Sequence, residues 1–380
     1  MKRGKPDFWL ILVTFILLGF GLVMVFSASY FKGYTDPHIH DSYYFFKKQL
    51  ANGLVGLILF FVVSNIPYET YRKHVGWILA VSVILLLLVP LLGQVHNGAK
   101  RWLGFGFLSF QPSELVKLGM IIYTASIMVK KQPHLDKFRR GLLPPLIIIG
   151  FVSALLVIEP HFSATMIIIL TSLIIIFCAG ARFKHLMYLF LSGVPVLILV
   201  MLSGSYRVDR IKTMLNPLSD PTGDGYQIIQ SLIAIGPGGL TGVGLGKSIQ
   251  KLAYLPEAHT DFIFSIISEE LGFVGGAFLI TLFIFLIVRG VLISLQAPNS
   301  FGTLLGIGIV SSIAIEAIFN LGVVTALLPV TGVPLPLISY GGTALILKLT
   351  SLGILLNISR YRTKKTKAAK PDPVSRQFRI

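Results

Sequence analysis

Apolar stretches about as long as a bilayer is thick recur from one end of this 380-residue chain to the other. A membrane-spanning helix needs roughly 20 mainly apolar residues, and 54% of this chain is hydrophobic whereas only 13% is charged. Soluble domains carry about a quarter charged residues. The pattern predicts an all-α, polytopic membrane protein with about ten transmembrane helices. The predicted spans are residues 8–28, 49–65, 75–92, 112–129, 143–158, 162–181, 185–202, 264–288, 301–325 and 339–358.

One long, largely polar segment, residues 203–263, separates the seventh and eighth predicted spans. We therefore expect one transmembrane domain over residues 1–359, with this segment as its large extracytoplasmic loop, and a basic tail over residues 360–380. The first span is long, and no small-residue cleavage site follows it before the next span, so we do not expect a cleavable signal peptide.

The net charge of +17 is distributed unevenly between the two sides of the membrane. With the amino terminus inside, 21 of the 33 lysines and arginines fall in cytoplasmic segments and 10 in outer segments. This positive-inside bias predicts cytoplasmic termini and an outward-facing long loop. It also argues against nucleic acid as a partner. The basic tail is expected to lie against anionic lipid headgroups.

Two candidate pairs of charged residues lie within the predicted spans. Glu114 and Lys117 are three residues apart on one helix face and can form an ion pair. A charge inside a bilayer costs about 2.5–3.5 kcal/mol on insertion scales, so such residues usually pair or serve function. Two interpretations stay open: a structural ion pair, or Lys117 facing an anionic substrate while Glu114 orients it or binds a metal. Glu316 and Lys348, in the ninth and tenth predicted spans, are expected to form a second ion pair with a structural role.

Asp261 lies where the long loop re-enters the membrane. Partial desolvation at that depth would raise the pKa of its carboxyl group and suit it to accept a proton. A side chain here could equally cap the start of the eighth span. Glu269 and Glu270 follow on the same span, and at least one of them should face a polar cavity or a cation.

The glycine-rich segment GVGLGKS (242–248) is similar to a phosphate-binding loop, but it fails the required spacing because Thr241 stands where a glycine is needed. Its backbone amides, with Lys247 and Lys251, are candidates for contacting a phosphate. The alternative is a flexible surface loop with ordinary lysines. His259 and Ser339 complete the candidate substrate contacts, and His259 is the histidine beside Asp261.

Four motifs resemble the SEDS family, the group of FtsW, RodA and SpoVE. They are NGAKRW (97–102), QPSELVKL (111–118), the segment GPGGLTGVGLGKS to YLPEAHTDFIFSIISEELG (236–272), and LLPVTGVPLPLISYGG (327–342). With the predicted spans they cover nearly the whole chain. The ending GILLNISRY (353–361) is more similar to the FtsW and SpoVE branches than to RodA.

The resemblance implies a peptidoglycan glycosyltransferase that polymerises lipid II into β-1,4-linked strands at the outer face of the bacterial cytoplasmic membrane. The position matching the family's essential aspartate is Asp261, and Arg101, Glu114 and Lys117 match its pocket residues. The family implies a class B penicillin-binding transpeptidase as partner, with other division or elongation proteins. A divalent cation, Mg²⁺ or Mn²⁺, is the candidate cofactor, and no organic cofactor is expected.

Two segments depart from the family pattern. His161 stands where the family commonly has aspartate, which puts a charged role at that position in doubt. The usual Ser-Tyr-Gly-Gly-Ser-Ser reads Ser-Tyr-Gly-Gly-Thr-Ala at residues 339–344, which keeps one hydroxyl. A flippase that carries lipid II across the membrane is the alternative function, and it would need polar residues through the full membrane depth. A scaffold without activity ranks last, since it leaves Glu114, Lys117 and Asp261 unexplained.

Overall fold

The computed structural model describes residues 3–96, 99–105, 108–159, 161–202, 205–223 and 225–362, which are mainly helical. The helices are α1 (Phe8–Thr35), α2 (Tyr44–Asn65), α3 (Glu69–Lys73), α4 (Val75–Leu92), α5 (Pro112–Lys131), α6 (Leu143–Ile158), α7 (Phe162–Cys178), α8 (Phe183–Leu202), α9 (Ser205–Leu215), α10 (Tyr226–Ile235), α11 (Ile263–Leu295), α12 (Ser300–Val324) and α13 (Thr343–Ser359). The strands are β1 (Gln94–His96), β2 (Ala99–Phe105) and β3 (Leu108–Phe110).

The predicted all-α membrane fold is confirmed, and a helix occupies each of the ten predicted spans. Seven helical segments, including those of α1, α2 and α11, are long and apolar enough to cross a bilayer. Two shorter apolar helices, α7 and α13, and the 20-residue α8 account for the other three. The number of helices that cross the membrane stays a prediction.

Several helices extend beyond their predicted bounds. Helix α1 continues to Thr35 rather than ending at 28, and α11 continues to Leu295 rather than 288. Helical hydrogen bonding continues into the interface, where side chains become polar, and hydropathy follows only the apolar part. The helix ends therefore lie further from the bilayer centre than the sequence predicts.

Small residues allow α2 and α13 to pack closely. A Cβ atom on Gly56 would lie 2.5 Å from Leu349 Cδ1, and one on Gly353 would lie 2.6 Å from the carbonyl oxygen of Phe60. Glycine at such positions lets two backbones approach, as is common between membrane helices. The pair forms one wall of the buried core, which also includes faces of α1, α5, α7, α11 and α12.

A short antiparallel sheet connects α4 to α5 and was not predicted. The strand order is β1-β2-β3, with Gln94 opposite Trp102 and Leu103 opposite Phe110. The strands are too short for clear alternation of polar and apolar residues, so the sequence pattern gives little signal. The sheet matters because Arg101 lies in β2.

The long loop contains two helices. The second of them, α10, covers the segment YQIIQSLIAI. Its buried Ser231 hydroxyl donates to the carbonyl of Val324 at 2.7 Å and lies 2.8 Å from the Ser265 hydroxyl. These bonds hold α10 against α11 and α12. Helix α9 was not predicted.

Helix α11 is broken at Gly272, whose φ is 63° and ψ is −162°. The amides of Phe273 and Val274 turn away from the helix and donate to the carbonyls of Gly239 and Leu240, at 2.9 and 3.1 Å. A broken helix is tolerated at membrane depth when protein groups satisfy the freed backbone. The glycine-rich part of the loop supplies those groups.

Candidate active site

Asp261 lies immediately before α11, outside the helical spans, and its side chain is half-buried. Desolvation and, less strongly, the charge of Glu257 raise the pKa of its carboxyl group to about 7, against the opposing charges of Arg210 and Arg101. A carboxyl group that titrates near neutral pH is suited to take a proton during a reaction. The side chain also does not cap α11, whose first residues follow Phe262 as N-cap.

The three carbonyls at residues 259–261 are each held by a different donor. Tyr340 N donates to the His259 carbonyl at 2.9 Å, and Ser339 Oγ donates to the Thr260 carbonyl at 2.6 Å. The third donor, the buried side-chain amide of Asn320, donates to the Asp261 carbonyl at 2.7 Å. The backbone that carries Asp261 is therefore fixed from α12 and from the segment before α13.

Ser339 was predicted to contact substrate, and the structure places it in this support. Its hydroxyl also accepts from Leu335 N at 2.8 Å, so both hydrogen bonds lie within the protein. His259 is buried between aromatic rings, 4.6 Å from Phe45 and 5.7 Å from Tyr340, centroid to centroid. Desolvation, with the nearby Lys32 charge, lowers its pKa to about 4. A substrate contact by either residue stays a prediction.

Two arginines approach Asp261 from different elements. Arg101 projects from β2, and its charge interacts with Asp261 and Glu159. Arg210 projects from α9 and donates to the carbonyl of Val330. Sequence reasoning identified Arg101 and missed Arg210, because a single arginine in a polar loop gives no signal of its distant neighbours.

The turn between α6 and α7 adds two groups to this site, the buried Glu159 and the half-buried His161. Desolvation raises the pKa of Glu159 to about 8, and Arg101 opposes the shift. His161 caps α7 by accepting at Nδ1 from the amide of Ala164, and its Nε2 lies 3.0 Å from Nε2 of Gln111. Desolvation, with the charges of Arg101 and Lys117, lowers the His161 pKa to about 3. A neutral histidine thus caps α7.

The two predicted ion pairs join into one buried network. Lys117 Nζ lies 2.7 Å from both Glu114 Oε1 and Glu316 Oε1, and Lys348 Nζ lies 2.6 Å from Glu316 Oε2. All four side chains are buried, and two small cavities of about 20 Å³ border them. Each cavity has room for about one water molecule. The network links α5, α12 and α13, and the geometry agrees with the structural interpretation of these charges.

Two amides of the glycine-rich loop bind the backbone of α11. The amides of Val243 and Gly244 donate to the carbonyls of Glu269 and Glu270, each at 3.0 Å. A Cβ on Gly242 would lie 2.1 Å from the Glu270 carbonyl oxygen, so this close approach requires glycine. The carbonyls of α11 therefore bind these two amides, and a phosphate contact by the rest of the loop stays a prediction.

Lys251, a predicted phosphate contact, lies in a buried ion pair. Its Nζ is 2.7 Å from Glu270 Oε1 and 3.1 Å from the Ser27 hydroxyl. This pairing confirms the expectation that Glu269 or Glu270 faces a cation. Lys247 is exposed on the loop surface. The structure thus assigns Lys251 to packing between the loop, α1 and α11, whereas Lys247 remains open to solvent.

This chain is similar in sequence to known proteins along nearly its whole length. The sequence model of the FtsW/RodA/SpoVE family, described as "Cell cycle protein", matches residues 8–364. Stage V sporulation protein E of Bacillus subtilis is 45% identical over 362 residues, covering 95% of this chain and 98% of the relative. A "Probable peptidoglycan glycosyltransferase FtsW" of Coxiella burnetii is 40% identical over 363 residues, covering 94% and 97%.

Two solved structures match over nearly their whole length. RodA of Thermus thermophilus has a TM-score of 0.71 at 28% identity, covering 95% of this chain and 98% of RodA. A chain from "Structural coordination of polymerization and crosslinking by a peptidoglycan synthase complex" has a TM-score of 0.77 at 28% identity, covering 94% and 98%. The chain described above therefore belongs to the FtsW/RodA/SpoVE family.

Proposed function

We propose that this chain is a peptidoglycan glycosyltransferase that polymerises lipid II at the outer face of the cytoplasmic membrane. The observation that carries the proposal is Asp261, a carboxyl group with a pKa of about 7 whose charge interacts with Arg101 and Arg210 outside the helical spans. The names of the relatives, which include peptidoglycan glycosyltransferases, support the same activity.

Asp261 is the proposed general base. It takes the proton from the 4-hydroxyl of the acceptor GlcNAc, and that oxygen attacks the anomeric carbon of the donor MurNAc. The new β-1,4 bond forms as the bond to undecaprenyl diphosphate breaks, with inversion at the anomeric carbon. A positioned base contributes on the order of 10²–10⁴-fold in rate. The hydrogen bonds to the carbonyls of residues 259–261 keep the carboxylate in place.

The leaving diphosphate gains negative charge as its bond breaks, and fixed cations stabilise such charge. Arg101 and Arg210 are the proposed cations, since both already interact with Asp261. Lys117 is less suited to this role because two carboxylates bind its ammonium group.

The residues present do not form a protein cage for Mg²⁺ or Mn²⁺. Among the described residues, no group of three histidine, cysteine, aspartate or glutamate side chains is arranged to hold a metal ion. A divalent cation bound mainly by substrate phosphates remains a proposal, and no step of the mechanism uses it.

Polymerisation by purified protein in detergent tests the proposed function. Wild-type protein should convert labelled lipid II into long glycan strands that lysozyme digests. Detergent micelles have no two sides, so a lipid II flippase would give no product in this assay. Absence of polymer, with lipid II still bound, would overturn the glycosyltransferase proposal in favour of the flippase.

We further propose cytoplasmic termini, an outward-facing Asp261 and a crosslinking transpeptidase of the class B penicillin-binding type as partner. The positive-inside bias supports the orientation, and the similarity to a chain of a peptidoglycan synthase complex supports the partner. Accessibility of cysteines introduced at residues 38 and 73 to an impermeant reagent in whole cells tests the orientation. Labelling should occur at residue 38 and not at residue 73.

A further inference from the structure

Two guanidinium groups from opposite ends of the chain meet at the end of α2. Arg3 Nη2 and Arg360 Nη1 each lie 2.8 Å from the same acceptor, Oδ1 of Asn65. Both also donate to the carbonyl of Ser64, at 3.1 and 3.3 Å. The amide of Gly4 donates to the Arg360 carbonyl at 2.7 Å, which holds the amino-terminal segment against the end of α13.

These acceptors do not satisfy both arginines. The Ser64 carbonyl also accepts from Asn357 Nδ2 at 2.8 Å, so three donors share an oxygen that has two lone pairs. One arginine is enough to complement the carboxyl-terminal end of a helix. The second adds a positive charge that capping of α2 does not require.

Among the residues that the structure describes, no carboxylate lies within ion-pair distance of either charge. Both acceptors are neutral, and burial with the neighbouring Arg3 charge lowers the pKa of Arg360. The nearest acid along the amino-terminal segment, Asp7, is bound by Arg289 at 2.6 Å and by Arg362. One carboxylate thus already serves two arginines, and an added anion would neutralise the pair formed by Arg3 and Arg360.

The position of the pair indicates where that anion comes from. Asn65 ends α2, and the preceding turns of that helix expose Ile58, Phe61 and Val62, with 62%, 44% and 50% of their surface accessible. Apolar side chains on a membrane helix face acyl chains, and basic pockets at the cytoplasmic ends of such helices bind anionic headgroups. A phosphate at the arginine pair would extend directly from a lipid whose chains lie along α2.

We propose that Arg3 and Arg360 form a binding site for the phosphate headgroup of an anionic phospholipid in the inner leaflet. The acyl chains of that lipid lie along the exposed face of α2. The site joins the amino-terminal segment, α2 and the end of α13, so a bound lipid would connect the two ends of the chain. The inference rests on the proposed orientation of the termini but not on the proposed enzymatic activity.

Native mass spectrometry in detergent, without lipid II, tests the site. Wild-type protein is offered equal amounts of phosphatidylglycerol and phosphatidylcholine and should retain the former about tenfold more strongly, as expected for two charge-assisted bonds. The variant Arg3→Gln/Arg360→Gln should lose this preference. The control Lys73→Gln/Lys130→Gln removes the same charge from two exposed cytoplasmic lysines and should keep it.

The outcomes are distinct. Equal retention of the two lipids by wild-type protein, or an unchanged preference in the arginine variant, would overturn the proposal. Displacement of phosphatidylglycerol by millimolar inorganic phosphate, dependent on the same arginines, would instead assign the site to free phosphate and also overturn it. Should the double variant fail to fold, Arg3→Gln alone changes an exposed side chain and should reduce the preference several-fold.

Discussion

Glu316 and Asp261 are acidic groups in two neighbouring regions with opposite chemistry. Glu316 binds two ammonium nitrogens, at 2.7 and 2.6 Å, and is closed within α5, α12 and α13. Asn320, by contrast, holds Asp261 through a hydrogen bond to its main-chain carbonyl. The Asp261 carboxyl group has a pKa near 7. The two carboxyl groups therefore differ in kind: both oxygens of Glu316 are bound by ammonium groups and stabilise packing, whereas the titratable carboxyl group of Asp261 is the proposed base.

The largest expected effect is on Asp261. We expect Asp261→Asn to lower the polymerisation rate by on the order of 10²–10⁴-fold, because the amide cannot accept the proton. The rate is measured with labelled lipid II, alongside lipid II binding and thermal stability. Both of these should be retained, because the residue's structural bonds are made by its backbone. Near-normal polymerisation would show that Asp261 is not the base.

A large effect on stability is expected in the buried network. Lys117→Met should lower the free energy of unfolding by roughly 3–5 kcal/mol, since it leaves Glu114 and Glu316 buried without their shared cation. Titration with a denaturing detergent measures the loss. Lys212→Met is the control: it removes an exposed pair with Asp209 and should change stability by less than about 1 kcal/mol.

One result would contradict the structural role of the buried network. If Lys117 contacts substrate, Lys117→Met would weaken lipid II binding while leaving stability near wild type. That outcome would place the network in the active site and remove the distinction between the two regions.

A smaller effect, but a diagnostic one, is expected from pH. A base is active when deprotonated, so the rate should rise about tenfold per pH unit below a midpoint near 7 and level off above it. Glu257→Gln removes a charge that raises the Asp261 pKa and should move the midpoint down. Arg101→Gln removes an opposing charge and should move it up. The test is to measure polymerisation rates at saturating lipid II from pH 5 to 9. A rate that does not change with pH would contradict the assignment of Asp261 as the base.

The smallest expected effect is at Ser339. Ser339→Ala removes the bonds to Thr260 and Leu335, which should lower stability by about 0.5–1.5 kcal/mol. We expect kcat to fall up to about tenfold through misplacement of Asp261, with little change in KM. A raised KM with unchanged kcat would instead make Ser339 a substrate contact. Ser219→Ala, at an exposed loop position, is the control.

Hydropathy predicted the helical spans because burial in lipid requires long apolar runs, but it could not predict features that depend on distant contacts. Glu114 and Lys117 could be paired from their spacing, whereas joining them to Glu316 required knowing that α5 packs on α12. Lys251 was a candidate phosphate contact because it lies near the glycine-rich amides, and its ion pair with Glu270 depends on how the loop packs against α11. The break at Gly272 was missed, since a single glycine in an apolar run is compatible with an intact helix.

Arg210 and Arg101 also depend on contacts between distant parts of the chain. Arg210 was missed, and Arg101 was identified as a pocket residue only through the resemblance to the family. Both reach Asp261 from elements far away in sequence, β2 and α9. Neither the spacing of residues nor the composition of the chain predicts such a tertiary contact. Local chemistry left Asp261 open between a base and a helix cap, the resemblance to the family selected it, and the tertiary fold supplied its surroundings.

The break in α11 bears on how the chain is made. The amides of Phe273 and Val274 depend on carbonyls at Gly239 and Leu240, which lie earlier in the sequence. An amide left without a partner in hydrocarbon costs several kcal/mol, yet synthesis delivers these partners before the amides themselves emerge. The loop is therefore synthesised before the second half of α11 enters the bilayer, and a circular permutation that reversed this order should hinder insertion.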